Sequence, residues 1–172
     1  MVKIIQIGNK ILRQTAESVS ILDITKPKIQ KVLKNLSSAL NSQDDAVAVA
    51  APQIAISLRI FAVSGKIFKE DSLNVTVDNA IPVIHPDLFF INPVIIKKSR
   101  TSKIIEEGCL SVSGVYGNVR RAVEIMIEAH NEKGEKFTMR ASDLLAAIFQ
   151  HEIDHLNGIL FVDKAKDLRK IL

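Results

Sequence analysis

Apolar residues recur at helical spacing in two segments of the chain, one in each half. In residues 26–41 they form a single stripe, with Pro27 in the first turn and Thr25 as candidate N-cap. A second stripe predicts a helix that is capped by Ser142 and ends at Gly158, a residue type that suits the position after a helix. The pattern therefore places one amphipathic helix near the N-terminus and another near the C-terminus.

The segments between these helices carry strand-like patterns. Alternating or β-favouring runs predict strands at 58–63, 88–96, 122–129 and 136–140. Pro93 splits the second run and predicts a bulge there, whereas Gly114 and Gly117 predict a turn. Residues 64–87 are interpreted as a long loop or hairpin. Because few helices are present to make parallel crossovers, the order predicts an α+β fold with mostly antiparallel sheets.

The composition is that of a globular chain of one domain, residues 1–172. Hydrophobic residues make up 47% and charged residues 24%, which excludes a wholly disordered protein. No window approaches the roughly 18 apolar residues that span a bilayer, and the start resembles no signal peptide, so we expect a cytoplasmic protein without a membrane partner. The net charge of +4 permits a weak attraction to the ribosome, but it predicts no sequence-specific nucleic-acid binding.

The second helix carries the clearest chemical signal, an HExxH motif. Its histidines, His151 and His155, are four residues apart and therefore share one helix face, about 5–6 Å apart. Two imidazoles so placed chelate a metal ion, and Glu152 reaches a water on that ion. The alternative is an exposed face with two solvated histidines. The apolar turn containing Leu144 and Ile148 indicates instead that this face is buried, and burial without partners is costly.

Two histidines leave a catalytic metal site one protein ligand short. A general zinc peptidase would supply the third ligand downstream, but no His or Glu follows His155. The single cysteine, Cys109, is the best candidate, because a thiolate is a strong donor to borderline divalent metals. A lone cysteine without such a helix is more often a small buried apolar residue.

Three motifs resemble the signatures of the peptide deformylases. They are residues 50–53 (AAPQ), 107–111 (EGCLS) and 150–156 (QHEIDHL), in the order that the family shows, with residues 91–93 (INP) between the first two. The resemblance covers most of the chain. It implies sheets packed around the HExxH helix, and a hydrolase that removes the N-formyl group from the formyl-methionine of nascent polypeptides.

The resemblance also implies which residues act on the metal and on the water. It assigns one divalent ion to Cys109, His151 and His155, namely Fe²⁺ in many members, with Zn²⁺ or Ni²⁺ as substitutes. Such an ion lowers the pKa of a water molecule. Glu152 would take the water proton and later give it to the leaving amine.

Further roles follow from the same resemblance. The side-chain amide of Gln53 and the backbone N–H of Leu110 would stabilise the developing oxyanion. The pocket for the methionine side chain maps onto Val47, Ala48, Leu144 and Ile148, although an apolar set of this kind equally serves as core. Either a bracing role around Cys109 or a purely structural role is open to Glu107, Arg121 and Gln150.

Two glycines of the family pattern are replaced in this chain. Ala46 and Ala48 stand where members usually carry glycine, which would allow a positive φ or a close approach of the substrate. A second function therefore stays open, that of a deformylase-like protein that binds metal with reduced or altered peptide turnover. Ribosome docking would depend on a short basic C-terminal segment that contains Lys164, Lys166, Arg169 and Lys170.

Overall fold

The computed structural model describes residues 2–43, 46–69, 76–77 and 86–170. Within them, two α-helices are present, α1 (Pro27–Asn41) and α2 (Asp143–Leu156). The strands are β1 (Ala48–Ala50), β2 (Ile60–Val63), β3 (Thr76–Val77), β4 (Leu88–Lys98), β5 (Ser102–Cys109), β6 (Val112–Ala122), β7 (Glu124–His130), β8 (Lys136–Ser142) and β9 (Lys166–Lys170).

Helix α1 begins at Pro27, and its cap differs from the prediction. Lys26 occupies the N-cap position, with φ −72° and ψ 151°, so Thr25 as cap was wrong. The reason is that a proline disfavours helical geometry in the residue before it and itself suits the first helical position. The apolar stripe of α1 is buried, and Leu36 within it has no exposed surface. The helix is therefore held by one packed face rather than by capping.

Six strands form the larger sheet in the order β1-β2-β4-β7-β8-β3, and every pair in it is antiparallel. The predicted bulge in β4 is confirmed, because the register with β7 shifts between Ile91 and Val94. Asn92 has φ 52° there, and its side chain exchanges hydrogen bonds of 2.8 and 2.7 Å with the backbone of Val19. The loop or hairpin predicted at 64–87 lies mostly outside the described residues.

The smaller sheet, β5-β6-β9, corrects the prediction of a turn at Gly114 and Gly117. Both glycines lie within β6. A Cβ on Gly117 would stand 2.8 Å from Cδ2 of Leu168 and 2.9 Å from Cβ of Ala165, so a glycine is needed for close approach of the C-terminal segment. The glycine was interpreted as part of a turn because a local pattern carries no information about packing against a distant part of the chain.

Helix α2 packs against β1, β2, β7 and β8 of the larger sheet and against β6 of the smaller one. Ser142 occupies its N-cap position but makes no side-chain cap bond, and Gly158 follows its end with the predicted left-handed geometry, φ 72°. An α+β fold with antiparallel sheets and a C-terminal helix is thus confirmed. In the part of the chain that the structure describes, no helix is long and apolar enough to cross a membrane.

Candidate metal centre and active site

The end of β5 and one face of α2 bring three candidate metal ligands together. Cys109, His151 and His155 each offer a ligand atom, and these atoms lie within 4.8 Å of one another. Sγ of Cys109 is 3.2 Å from Nε2 of His155, and the two imidazole centroids are 4.9 Å apart. The helical spacing of four residues accounts for the second distance. The residues that the sequence indicated as ligands therefore share one site.

The chemistry of this donor set fits a borderline divalent cation. One thiol and two imidazoles are the donors that Zn²⁺ and its neighbours in the first transition series prefer. Nδ1 of His151 lies 2.9 Å from a carboxylate oxygen of Glu107, which leaves Nε2 as the ligating atom. Among the described residues, Oε2 of Glu152 is buried without a hydrogen-bond partner. A polar, water-binding centre at this position accounts for such a group better than a dry core does.

Burial and hydrogen bonding together shift the pKa values of the α2 side chains. It raises the pKa of Glu152 to about 7, a value suited to a group that both takes and gives a proton near neutral pH. Burial lowers the pKa of His155 well below its usual range, which favours the neutral, ligating imidazole. Burial also lowers the pKa of His151, but hydrogen bonds with Cys109 and Glu107 outweigh it and raise that pKa to about 10. A cation that binds His151 must therefore displace a proton.

A buried network of ion pairs contacts the candidate ligand His151 through Glu107. Arg121, only 3% exposed, donates to both oxygens of Glu107 at 2.6 and 2.9 Å. It donates a third bond, of 2.6 Å, to Asp154. Glu107 and Arg121 therefore brace the site. Asp154 was not predicted to belong to the site. The only indication in the sequence was that an acidic residue lies within a helix that has an apolar face.

Gln150 has a different role from that of the network. Its side chain accepts from the backbone N–H of Ala122 at 3.1 Å and donates to the carbonyl of the same residue at 3.0 Å. It also donates to the carbonyl of Ala146, one turn earlier in α2. Gln150 thus fastens α2 to the end of β6, which is a structural role.

Acid is expected to weaken the fold through Glu107. Burial raises the pKa of this carboxyl, but hydrogen bonds from Arg121 and His151 outweigh it and lower the pKa from 4.5 to about 2. A group with a lowered folded pKa stabilises the protein above its unfolded value. That contribution is expected to be complete above pH 4.5 and lost progressively as the pH falls to about 2. Urea denaturation of the wild type and of Glu107→Gln across this range measures the difference, and parallel pH profiles would contradict the expectation.

Gln53 is placed by a short 3₁₀ segment, Ala51–Ile54, that follows β1 directly. Its Oε1 accepts from the backbone N–H of Ala50 at 2.8 Å, so the amide nitrogen points the other way. That nitrogen lies 3.5 Å from Sγ of Cys109 and 3.3 Å from Oγ of Ser111. With 2% of its surface exposed, Gln53 is part of the site and not a surface loop amide.

A cavity of about 760 Å³ opens beside these groups. Cys109, Leu110, Gln53, His151 and Glu152 all line it. All four residues indicated for the side-chain pocket also line it: Val47, Ala48, Leu144 and Ile148. Val47 and Leu144 are exposed, whereas Ala48 and Ile148 are buried. Strands β5 and β6, which precede and follow the turn at the cysteine, add lining residues that the sequence pattern did not indicate: Ile105, Val115 and Tyr116.

Comparison with known proteins decides the family. The family model for polypeptide deformylase matches residues 1–171. The chain belongs to the peptide deformylase family. The peptide deformylase of Desulfitobacterium hafniense is 40% identical over 95% of this chain and 94% of that protein. That of Carboxydothermus hydrogenoformans is 40% identical over 96% and 94%, respectively.

Solved structures of peptide deformylases share the fold. The actinonin-bound enzyme of Acinetobacter baumannii superposes with a TM-score of 0.80 at 28% identity, covering 96% of this chain and 99% of that one. The peptide deformylase of Legionella pneumophila gives 0.79 at 30% identity, covering 97% and 87%. The predicted membership of the family is thus confirmed over nearly the whole chain.

Proposed function

We propose that this chain is a metal-dependent hydrolase that removes the N-formyl group from the formyl-methionine of nascent polypeptides. The observation that carries the proposal is the convergence of Cys109, His151 and His155 on a cavity that also contains Glu152 and the amide of Gln53. Membership of the peptide deformylase family supports the same activity.

The three ligands would hold one divalent cation, which we infer to be Fe²⁺, with Zn²⁺ or Ni²⁺ as substitutes. The donor set suits all three metals, so the choice of Fe²⁺ comes from the resemblance to the family. Such a cation lowers the pKa of a water molecule and polarises a carbonyl group. Glu107 orients His151 toward it through the 2.9 Å bond to Nδ1.

Glu152 is proposed to move the proton. Its carboxylate would accept a proton from the attacking water and return it to the leaving amine. One of its oxygens, Oε2, is buried and has no hydrogen-bond partner among the described side chains and backbone groups. Because Glu152 sits next to His151 on α2, its carboxylate lines the same cavity.

Gln53 and Leu110 are proposed to stabilise the oxyanion. The bond from Ala50 to Oε1 of Gln53 fixes the opposite nitrogen toward Cys109 before substrate arrives. A donor held in this way lowers the barrier without reorganising during the reaction. The backbone N–H of Leu110, the residue that follows Cys109 and lines the same cavity, would be the second donor. The methionine side chain would enter the pocket formed by Val47, Ala48, Leu144 and Ile148.

The proposed partners are nascent formyl-methionyl chains in the cytoplasm. Residues 1–172 are proposed to form the single domain that binds them. The C-terminal basic residues are partly engaged within the fold, since Lys164 contacts Asp154 and Arg169 pairs with Glu106. Docking on the ribosome through this segment stays a hypothesis. We propose neither a membrane partner nor sequence-specific nucleic-acid binding.

Turnover of a formyl-Met tripeptide tests the proposed function. The protein is purified without oxygen, loaded with Fe²⁺ or Ni²⁺, and assayed for release of formate. The acetyl-Met form of the same tripeptide serves as control, and it should react far more slowly. A metal-loaded wild type as inert as Glu152→Ala would overturn the proposal.

The structure weakens the alternative of a protein with altered turnover. Neither Ala46 nor Ala48 has a positive φ, and both methyl groups are buried in apolar clusters. The backbone at these positions therefore does not need glycine for its own conformation, and only a closer approach of substrate to these two cavity-lining residues would require one. The double substitution Ala46→Gly/Ala48→Gly is expected to change kcat/KM less than about threefold and to destabilise the fold by about 1–2 kcal/mol. Steady-state kinetics and urea denaturation check both values, and a tenfold gain in kcat/KM would restore the alternative.

A further inference from the structure

Four side chains of alternating charge lead from the surface to one of the proposed metal ligands. Nζ of Lys164 donates to both oxygens of Asp154, at 2.6 and 2.7 Å. Arg121 links Asp154 to Glu107, and Glu107 contacts Nδ1 of His151. The path thus joins the segment just before β9 to α2, β6 and β5.

The two cations in this path differ in exposure. The side chain of Arg121 is 3% exposed, whereas that of Lys164 is 41% exposed. Two cations face two carboxylates, so the path is balanced in charge. Without Lys164, Asp154 and Glu107 would compete for the single guanidinium of Arg121.

That competition would reach the metal centre. Arg121 grips Glu107 with Nε and Nη2 and reaches Asp154 with Nη1. If Asp154 drew the guanidinium toward itself, the two-point grip on Glu107 would loosen. Glu107 is the group that fixes the ring of His151, and partners of this kind set ring orientation and metal affinity.

We propose that Lys164 is a positioning residue for the metal centre, acting through Asp154, Arg121 and Glu107 on His151. The segment that precedes β9 thereby helps to set how tightly the site binds a divalent cation. The proposal rests on the proposed function, because it takes Cys109 and the two histidines as ligands. Removing a positive charge would by itself strengthen binding of a divalent cation through reduced repulsion. This effect is expected to be small, because Lys164 is partly exposed and solvent screens its charge.

Metal affinity of Lys164→Met tests the proposal. Competition with a chromophoric chelator gives the Ni²⁺ dissociation constant, and the absorption spectrum of the Co²⁺-loaded protein reports the ligand geometry. Lys164→Met is expected to bind Ni²⁺ about three- to tenfold more weakly, less than the 10–100-fold typical when a direct partner of a ligand is lost. Its Co²⁺ spectrum is expected to change. Lys164→Arg is expected to restore both properties, since it replaces the cation.

Lys166→Met is the matched control, because it removes the same charge from an exposed position on β9. It is expected to bind Ni²⁺ as the wild type does. Should Lys164→Met fail to fold, Lys164→Gln carries the same test. Unchanged affinity and spectrum would overturn the proposal, and so would tighter binding, which would show that Lys164 acts only through its charge. A wild type that binds no Ni²⁺ would instead refute the metal centre itself.

Discussion

Glu152→Gln is expected to lower turnover of a formyl-Met peptide by about 10³-fold or more while leaving metal binding within a few-fold of the wild type. The amide has nearly the shape of the carboxylate, but it cannot accept the proton of the attacking water. General acid–base groups of this kind contribute about 10²–10⁴-fold, and Glu152 serves in both directions of the proposed transfer. Steady-state kinetics of the Ni²⁺ form and metal analysis of the same samples measure the two effects.

The control for Glu152→Gln is Glu132→Gln, an equal change at an exposed position in the turn between β7 and β8. It is expected to leave turnover unchanged. A Glu152→Gln variant that keeps its metal and at least a tenth of the wild-type turnover would show that another group moves the proton. A variant that loses its metal would place Glu152 in the structure of the site rather than in the proton transfer.

Local patterns predicted the metal centre better than they predicted the sheets around it. Helical spacing alone puts His151 and His155 on one face, so this part of the site could be predicted from the sequence. The turn predicted at Gly117 was wrong, because a glycine is required there for steric reasons. A larger side chain would collide with Leu168, which lies far along the chain. No periodic signal records a contact of that kind.

The sequence left a bracing role open to Glu107 and Arg121, but it did not indicate the ion network that joins them to Asp154. Arg121 is 14 residues from Glu107 and 33 residues from Asp154, and the three groups lie on β6, β5 and α2. Their meeting depends on the β5–β6 register and on where α2 packs, neither of which the sequence pattern fixes. The motifs therefore indicated the side chains that are proposed to bind the metal and the substrate, whereas the groups that support those side chains became visible only in the fold.

Arg121→Met is expected to destabilise the protein by about 3–5 kcal/mol, the largest loss of stability expected from one substitution here. The methionine replaces the apolar stem of the arginine, but it leaves Glu107 and Asp154 buried with one cation fewer between them. Urea denaturation at neutral pH measures the loss. Arg140→Met, which breaks an exposed ion pair with Glu124, is the matched control and is expected to cost less than about 1 kcal/mol.

A second substitution separates lost charge pairing from lost packing. If Arg121→Met lowers the free energy of unfolding because it leaves a carboxylate uncompensated, then neutralising that carboxylate should restore part of the lost free energy. Glu107→Gln is therefore expected to destabilise the wild type yet to stabilise the Arg121→Met variant by about 1–2 kcal/mol. If Glu107→Gln instead destabilises both backgrounds equally, the two side chains contribute independently. In that case the pairing of Glu107 with Arg121 does not account for the cost of Arg121→Met.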